Sequence, residues 1–205
     1  MKLESNNEQL ILEAAEAEFL EKGYKNTPTT AIAKRAGVTH AMLHYYFRTK
    51  ENLFRKVFQN KVRLLGNAVG QHVNENLPFE ELVRKLIESH FDFIRQNPKI
   101  VNFILTEVVN NEENKRILLD ELRSKFSVIF ERSNKLLINE ILKGKVKPIK
   151  TIDLLLNVLS MNVMTFNLFP ILAEVIPAYH SENFENLLDE RKESIVQFVL
   201  NALRV

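Results

Sequence analysis

The 205-residue chain contains no cysteine and no tryptophan, and only five glycines and six prolines. Without cysteine there can be no disulfide framework and no thiolate metal site, which fits a reducing compartment. So few backbone breakers leave little means of separating many short strands, and no segment alternates with period two for long. The most apolar stretch, 158–177, is interrupted by Asn162, Thr165, Asn167, Pro170, Glu174 and Pro177. It is therefore not expected to span a bilayer. Residues 1–20 are acidic and amphipathic rather than a basic flank before an apolar block, so no secretory leader is expected. The chain lacks a Gly-rich phosphate loop, a G-x-S-x-G elbow and any Glu-x-x-His pair. An enzyme is not expected, and nothing implies a cofactor. A soluble cytoplasmic protein with no membrane partner is.

Charge is distributed unevenly. Between Lys22 and Arg63 stand ten Lys or Arg residues and one acid, Glu51, whereas the remainder holds 18 bases and 25 acids. The overall net charge of +2 conceals this contrast. Such asymmetry points to a polyanionic partner for one region. Apolar residues recur at spacings of three and four, the helical period, and predict an all-α chain of about nine helices.

Punctuation places the helix boundaries. Ile11, Ala15 and Phe19 share a stripe on a first helix over 5–22, closed by Gly23 with Tyr24 behind it. Thr27-Pro28 predicts an N-cap and a first helical position for a short second helix, which Ala36-Gly37-Val38 ends. Thr39 is placed to cap a third helix, and Thr49 a long fourth one with Glu51 in its first turn. Pro78 and Asn97-Pro98 open two more helices, and Lys143-Gly144 closes one that begins near Glu112. A helix over 149–173, bent or ended by Pro170, and a last one over 181–203 complete the set. The expected organisation is a small basic domain, 1–49, and a larger helical domain, 50–205.

Two short helices joined by a tight Gly-containing turn form a helix-turn-helix, whose second helix enters the DNA major groove. Residues 28–35, 36–38 and 39–47 match that arrangement. Leu43 and Phe47 should face the core, leaving His40, Ala41, His44 and Tyr45 on the opposite face. Ala41 is small enough to let the backbone approach the groove floor. His40 and His44 lie at i and i+4, but without a third ligand nearby no metal is expected.

Over residues 9–54 the chain resembles the TetR family of transcriptional regulators. ILEAAEAEFLEKGY is followed by IAKRAGVTHAMLHYYFRTKENLF, with the order IA-x-x-AGV-x-x-x-x-L-x-x-YF-x-x-KE-x-L. The resemblance implies an N-terminal domain that binds double-stranded operator DNA. It also implies a C-terminal domain that binds a small effector and forms a homodimer through its last two helices. The function implied is a sequence-specific regulator, a ligand-released repressor on an inverted-repeat operator. By position, Thr39 and His40 would contact bases and phosphates, and Thr29 and Thr30 the sugar-phosphate chain. Tyr45, Tyr46 and Lys50 would contact phosphates, Tyr46 being equally suited to packing. Ala41 stands where the family often has Gly, and His44 where it often has Tyr, so the base read is left open.

Leu82, Val83, Leu86, Ile87, Phe91 and Ile94 form an apolar stripe with His90 inside it. That pattern suits either a satisfied core histidine or the polar anchor of a ligand pocket. The pocket version collects His90, Phe91, Ile94, Phe103, Thr106, Asn110, Met161, Asn162 and Phe166, and implies an apolar or aromatic effector. Helices 149–173 and 181–203 carry enough Leu, Ile, Val and Phe for an isologous four-helix interface. Asn162 and Asn167 are candidates to fix its register or simply to lie on the surface. The alternative reading is an effector-independent helix-turn-helix DNA binder or a partner-controlled adaptor.

Overall fold

The computed structural model describes residues 2–70, 77–109, 111–176 and 183–205. The chain is all-α: nine helices and no strand occur among the described residues. They are α1 (Lys2–Lys22), α2 (Thr29–Ala36), α3 (His40–Phe47), α4 (Lys50–Gly70), α5 (Phe79–Gln96), α6 (Pro98–Val109), α7 (Glu112–Leu142), α8 (Thr151–Val175) and α9 (Phe184–Leu203). Packing divides the chain into two units, Met1–Leu64 with Lys99–Leu122, and Leu65–Pro98 with Arg123–Val205. The boundary expected between residues 49 and 50 falls inside the first unit.

In the first unit α1 packs on α2 and α3. Ile11, Ala15 and Phe19 are buried from α1, Ile32 from α2, Leu43 from α3, and Leu53, Val57 and Phe58 from α4. Phe19 meets Phe54 edge to face at 5.2 Å between centroids. Truncating a buried Phe of this kind costs about 3–5 kcal/mol. Gly23 (φ 75°) and Gly37 (φ 69°) take the left-handed conformation that ends α1 and α2. Thr27 does not cap α2 as expected. Pro28 occupies the N-cap, its carbonyl accepting from the Ala31 amide at 3.1 Å. Thr27 is fully buried, and its hydroxyl donates to the carbonyls of Gly23 (2.8 Å) and Glu18 (3.1 Å). The side chain was recruited inward, where it satisfies carbonyls at the end of α1.

In the second unit α5 packs on α8 and α9, and α8 on α9. Ile87, Phe91, Leu137, Leu188, Ile195 and Val196 lie at the centre of its core. α8 runs five residues beyond Pro170 instead of ending there. α9 begins at Phe184, capped by Asn183, whose Oδ1 accepts from the Glu185 amide at 3.0 Å. By length and composition α8 is long and apolar enough to cross a membrane, contrary to the expectation for 158–177, and little of its apolar stretch is buried. One of its faces packs on α5 and α9 while Ile152, Leu156, Met164, Leu168, Ile171 and Val175 remain exposed, so apolar residues occupy both sides.

Candidate nucleic-acid interface

α2 and α3 are eight residues each and meet across the Gly37 turn. Thr39 Oγ1 accepts from the Met42 amide at 3.2 Å, capping α3. With Leu43 and Phe47 buried, the 3.6-residue period turns His40, Ala41, His44 and Tyr45 outward, and Tyr45 is 70% exposed. Thr30 and Thr39 are exposed as well, while Tyr46 is half-buried against the core of the first unit.

Hydrogen bonds organise this face. Thr29 Oγ1 and His40 Nε2 pair at 2.9 Å, joining the first turn of α2 to that of α3. The His40 and His44 rings meet edge to face, with centroids 4.5 Å apart. His44 Nδ1 donates to the Arg48 carbonyl at 2.8 Å. Arg48 itself has φ 63° and ψ −56°, and the Thr49 amide reaches across it to the Phe47 carbonyl at 2.6 Å. This is a γ-turn of the positive-φ hand, rare and strained for a residue with a side chain. Beyond it Thr49 caps α4, accepting from the Asn52 amide at 3.1 Å.

Lys50, in the first turn of α4, holds Nζ 4.4 Å from the centroid of the Tyr24 ring. The Tyr24 hydroxyl donates to Glu51 at 2.7 Å and its amide to Glu107 at 3.0 Å. Burial, then the bond to Glu51, pushes the Tyr24 phenol far above its ordinary range, and burial pulls the Lys50 ammonium down.

The basic block separates into paired and free charges. Lys22 pairs with Glu18, Arg35 with Glu18 and Glu21, Arg55 with Glu113, and Lys61 with Glu16. The bond from Lys22 holds the buried Glu18 carboxyl below its usual range against the opposing effect of desolvation. Lys25, Lys34, Arg48 and Lys56 have no ion pair among the described residues. Tyr24 and Arg48 were not among the expected contact residues. Tyr24 could have been noticed as the aromatic behind the Gly23 stop, but nothing in the residue order announces the turn at Arg48.

Residues 11–57 match the family model of the bacterial regulatory proteins, tetR family. Over that segment the chain is a member of the TetR family. Its N-terminal domain is a DNA-binding helix-turn-helix. Among curated relatives it is 28% identical over 130 residues to the HTH-type transcriptional regulator YhgD of Bacillus subtilis, 58% of this chain and 67% of that one. It is 28% identical over 134 residues to the fatty acid metabolism regulator protein of the same organism, covering 65% and 59%. It is 37% identical over 87 residues to the HTH-type transcriptional regulator BetI of Yersinia pestis, covering 41% and 43%. The chain thus spans from under half to two thirds of these relatives. All three are named as regulators rather than enzymes. The fold is that of HlyIIR, a hemolysin II transcriptional regulator (TM-score 0.66, 24% identity, 98% and 99% covered). It is equally that of the TetR family transcriptional regulator PfmR from Thermus thermophilus (TM-score 0.66, 20%, 91% and 97%).

The residues expected around one effector fall into separate units. Phe103 belongs to the first, packed on Phe54 and Phe58 at 5.6 and 6.1 Å between centroids. Thr106, in the same unit, is exposed and donates to the Asn102 carbonyl at 2.8 Å. Asn110 lies outside the described residues. His90, Phe91, Ile94, Met161, Asn162 and Phe166 belong to the second unit, where the Phe91 and Phe166 rings lie 4.8 Å apart. Asn162 is fully buried, its Nδ2 donating to the Ile87 carbonyl (3.1 Å) and to His90 Nδ1 (3.0 Å). Asn162 therefore points into the protein, and Asn167 donates to the Val163 carbonyl at 2.8 Å. Burial lowers the His90 pKa to about 4.

A groove of about 760 Å³ runs between α8 and α9, lined by Met161, Met164, Thr165, Leu168, Leu172, Leu187 and Arg191 among others. Apolar side chains of α8 stand exposed, as does Phe198 of α9, 65% exposed. Among the described residues no group of three or more His, Asp or Glu is placed to hold a metal ion.

Proposed function

We propose that this TetR-family protein is a sequence-specific transcriptional regulator, a repressor that binds an inverted-repeat operator as a homodimer and is released by a small ligand. The observation that carries the DNA half is the α3 face. His40, Ala41, His44 and Tyr45 stand exposed, His40 bound to Thr29 of α2, and Lys25, Lys34, Arg48 and Lys56, without an ion pair among the described residues, lie nearby in sequence. Thr29, Thr30, Thr39, Tyr46 and Lys50 complete the proposed contact set. Phosphate contacts set affinity and register, base edges set preference. The exposed apolar residues of α8, with Phe198 of α9, support the dimer, because apolar side chains gathered on a surface mark an interaction site. A two-fold pairing would present two recognition helices to successive major grooves, roughly 34 Å apart. The protein acts in the bacterial cytoplasm, where that DNA lies.

The effector is a small apolar or aromatic compound bound in the second unit near His90, Phe91, Met161, Asn162 and Phe166. It can release the operator only by binding the two forms of the protein with different affinity. A second reading, DNA binding without an effector, is favoured by one observation. His90 and Asn162 are paired with each other and line none of the described cavities.

The test is a mobility-shift titration of the full chain against duplexes selected from a random pool. Tight binding to inverted repeats, falling steeply with salt, is expected. Failure to enrich any sequence overturns the reading. Thermal shift against apolar acids and aromatics, fatty acids included, then separates effector control from its absence.

A further inference from the structure

The γ-turn at Arg48 has a consequence for the histidine four residues before it. It presents both backbone groups of Arg48 to His44: the Arg48 amide donates to the His44 carbonyl at 2.9 Å, and the Arg48 carbonyl receives His44 Nδ1 at 2.8 Å. A carbonyl oxygen has no proton to give, so Nδ1 must carry the hydrogen. In the neutral imidazole that leaves Nε2 unprotonated, with a lone pair and no donor function. His44 is exposed on the outer face of α3, and its Nε2 has no hydrogen-bond partner among the described residues.

We propose that His44, with its tautomer set by the Arg48 carbonyl, reads an exocyclic amino group of the operator, adenine N6 or cytosine N4, through Nε2. The proposal rests on the DNA-binding reading above. The choice follows from what the groove offers to an acceptor. Phosphate oxygens only accept, and so do guanine N7 and O6 and thymine O4. In the major groove only the amino groups of adenine and cytosine donate. Ala41, one turn earlier on the same face, adds no bulk to keep that edge away. His40 does not share the role, because its Nε2 is already engaged with Thr29 Oγ1.

Two measurements decide it. Long-range proton–nitrogen NMR of the full chain at pH 8 should show His44 protonated at Nδ1; protonation at Nε2 overturns the proposal. In binding titrations at pH 8, selected duplexes are then altered one base at a time. Purine without its amino group replaces each adenine, and pyrimidinone without its amino group replaces each cytosine. One position in each half-site should lose about five- to ten-fold in affinity, the worth of one direct hydrogen bond. His44→Ala should be insensitive there, and which analogue acts tells adenine from cytosine. Wild type insensitive at every position, or His44→Ala equally sensitive, overturns it. Lys50→Ala, run alongside, checks the underlying reading: it should weaken every duplex whatever happens at His44.

Discussion

Lys50 Nζ stands 4.4 Å from the centroid of the Tyr24 ring, and the same tyrosine donates its hydroxyl to Glu51, the next residue of α4. The ring attracts the ammonium through its quadrupole and holds it at the helix N-terminus, where free amides also favour a phosphate. Lys50→Ala should weaken all duplexes alike and lower the salt-dependence slope by about 1. Tyr24→Leu should move affinity the same way to a smaller extent, whereas Tyr24→Phe keeps the ring and most of the binding. Wild-type affinity in a Tyr24→Leu protein of normal helicity would show that the ring does not position the charge.

Arg48 sits at φ 63° between α3 and α4. Glycine takes that conformation without a Cβ penalty, while strain of this kind costs a side-chain residue about 1–3 kcal/mol. The greater freedom of glycine in the unfolded chain offsets part of the gain. Arg48→Gly is expected to stabilise the fold by about 1 kcal/mol net, raising Tm by about 2–4 °C. The same variant removes a cation that has no ion pair among the described residues and should bind DNA less tightly at low salt. A lower Tm by calorimetry refutes the strain argument.

His90 is buried against Asn162, and its pKa falls to about 4 from an ordinary 6.5. The unfolded chain therefore takes up its proton first as pH drops. Stability is full above about pH 6.5, is lost as pH falls toward 4, and is constant in this respect below it, for a total of about 3 kcal/mol. His90→Gln keeps an acceptor for the Asn162 amide and does not titrate. Denaturant titrations should show a shallower pH dependence between 6.5 and 4 for the variant than for wild type. Parallel curves would assign the acid sensitivity to other groups.

Phe198 is 65% exposed on α9, a helix that packs against α8. Phe198→Glu together with Leu168→Glu should leave helicity unchanged, since neither side chain contributes to the core. Sedimentation should then report a monomer where wild type is a dimer, and the monomer should bind single half-sites weakly. A variant that remains dimeric places the interface elsewhere.

Much of the first unit was legible from residue order. Gly23 and Gly37 mark helix ends because glycine takes positive φ without penalty, and Thr39 and Thr49 mark starts because their hydroxyls reach free amides. Thr27 misled for the same chemical reason: its hydroxyl can satisfy an amide ahead of it or carbonyls behind it, and packing chose the second. Phe103 and Thr106 had helical spacing compatible with a pocket. Which core a helix face enters depends on residues far away in the chain, and Phe54 and Phe58 claimed Phe103.

Sequence alone determined that the chain is helical, that a helix-turn-helix lies near its start, and which face of α3 is polar, because caps, breakers and the 3.6-residue period act over a few neighbours. Tertiary structure decided which cations are paired, since the acids that neutralise Arg35, Arg55 and Lys61 come from other helices. It also decided the γ-turn at Arg48, and with it the protonated nitrogen of His44, because a backbone strained at one residue is held there only by the packed helices on either side.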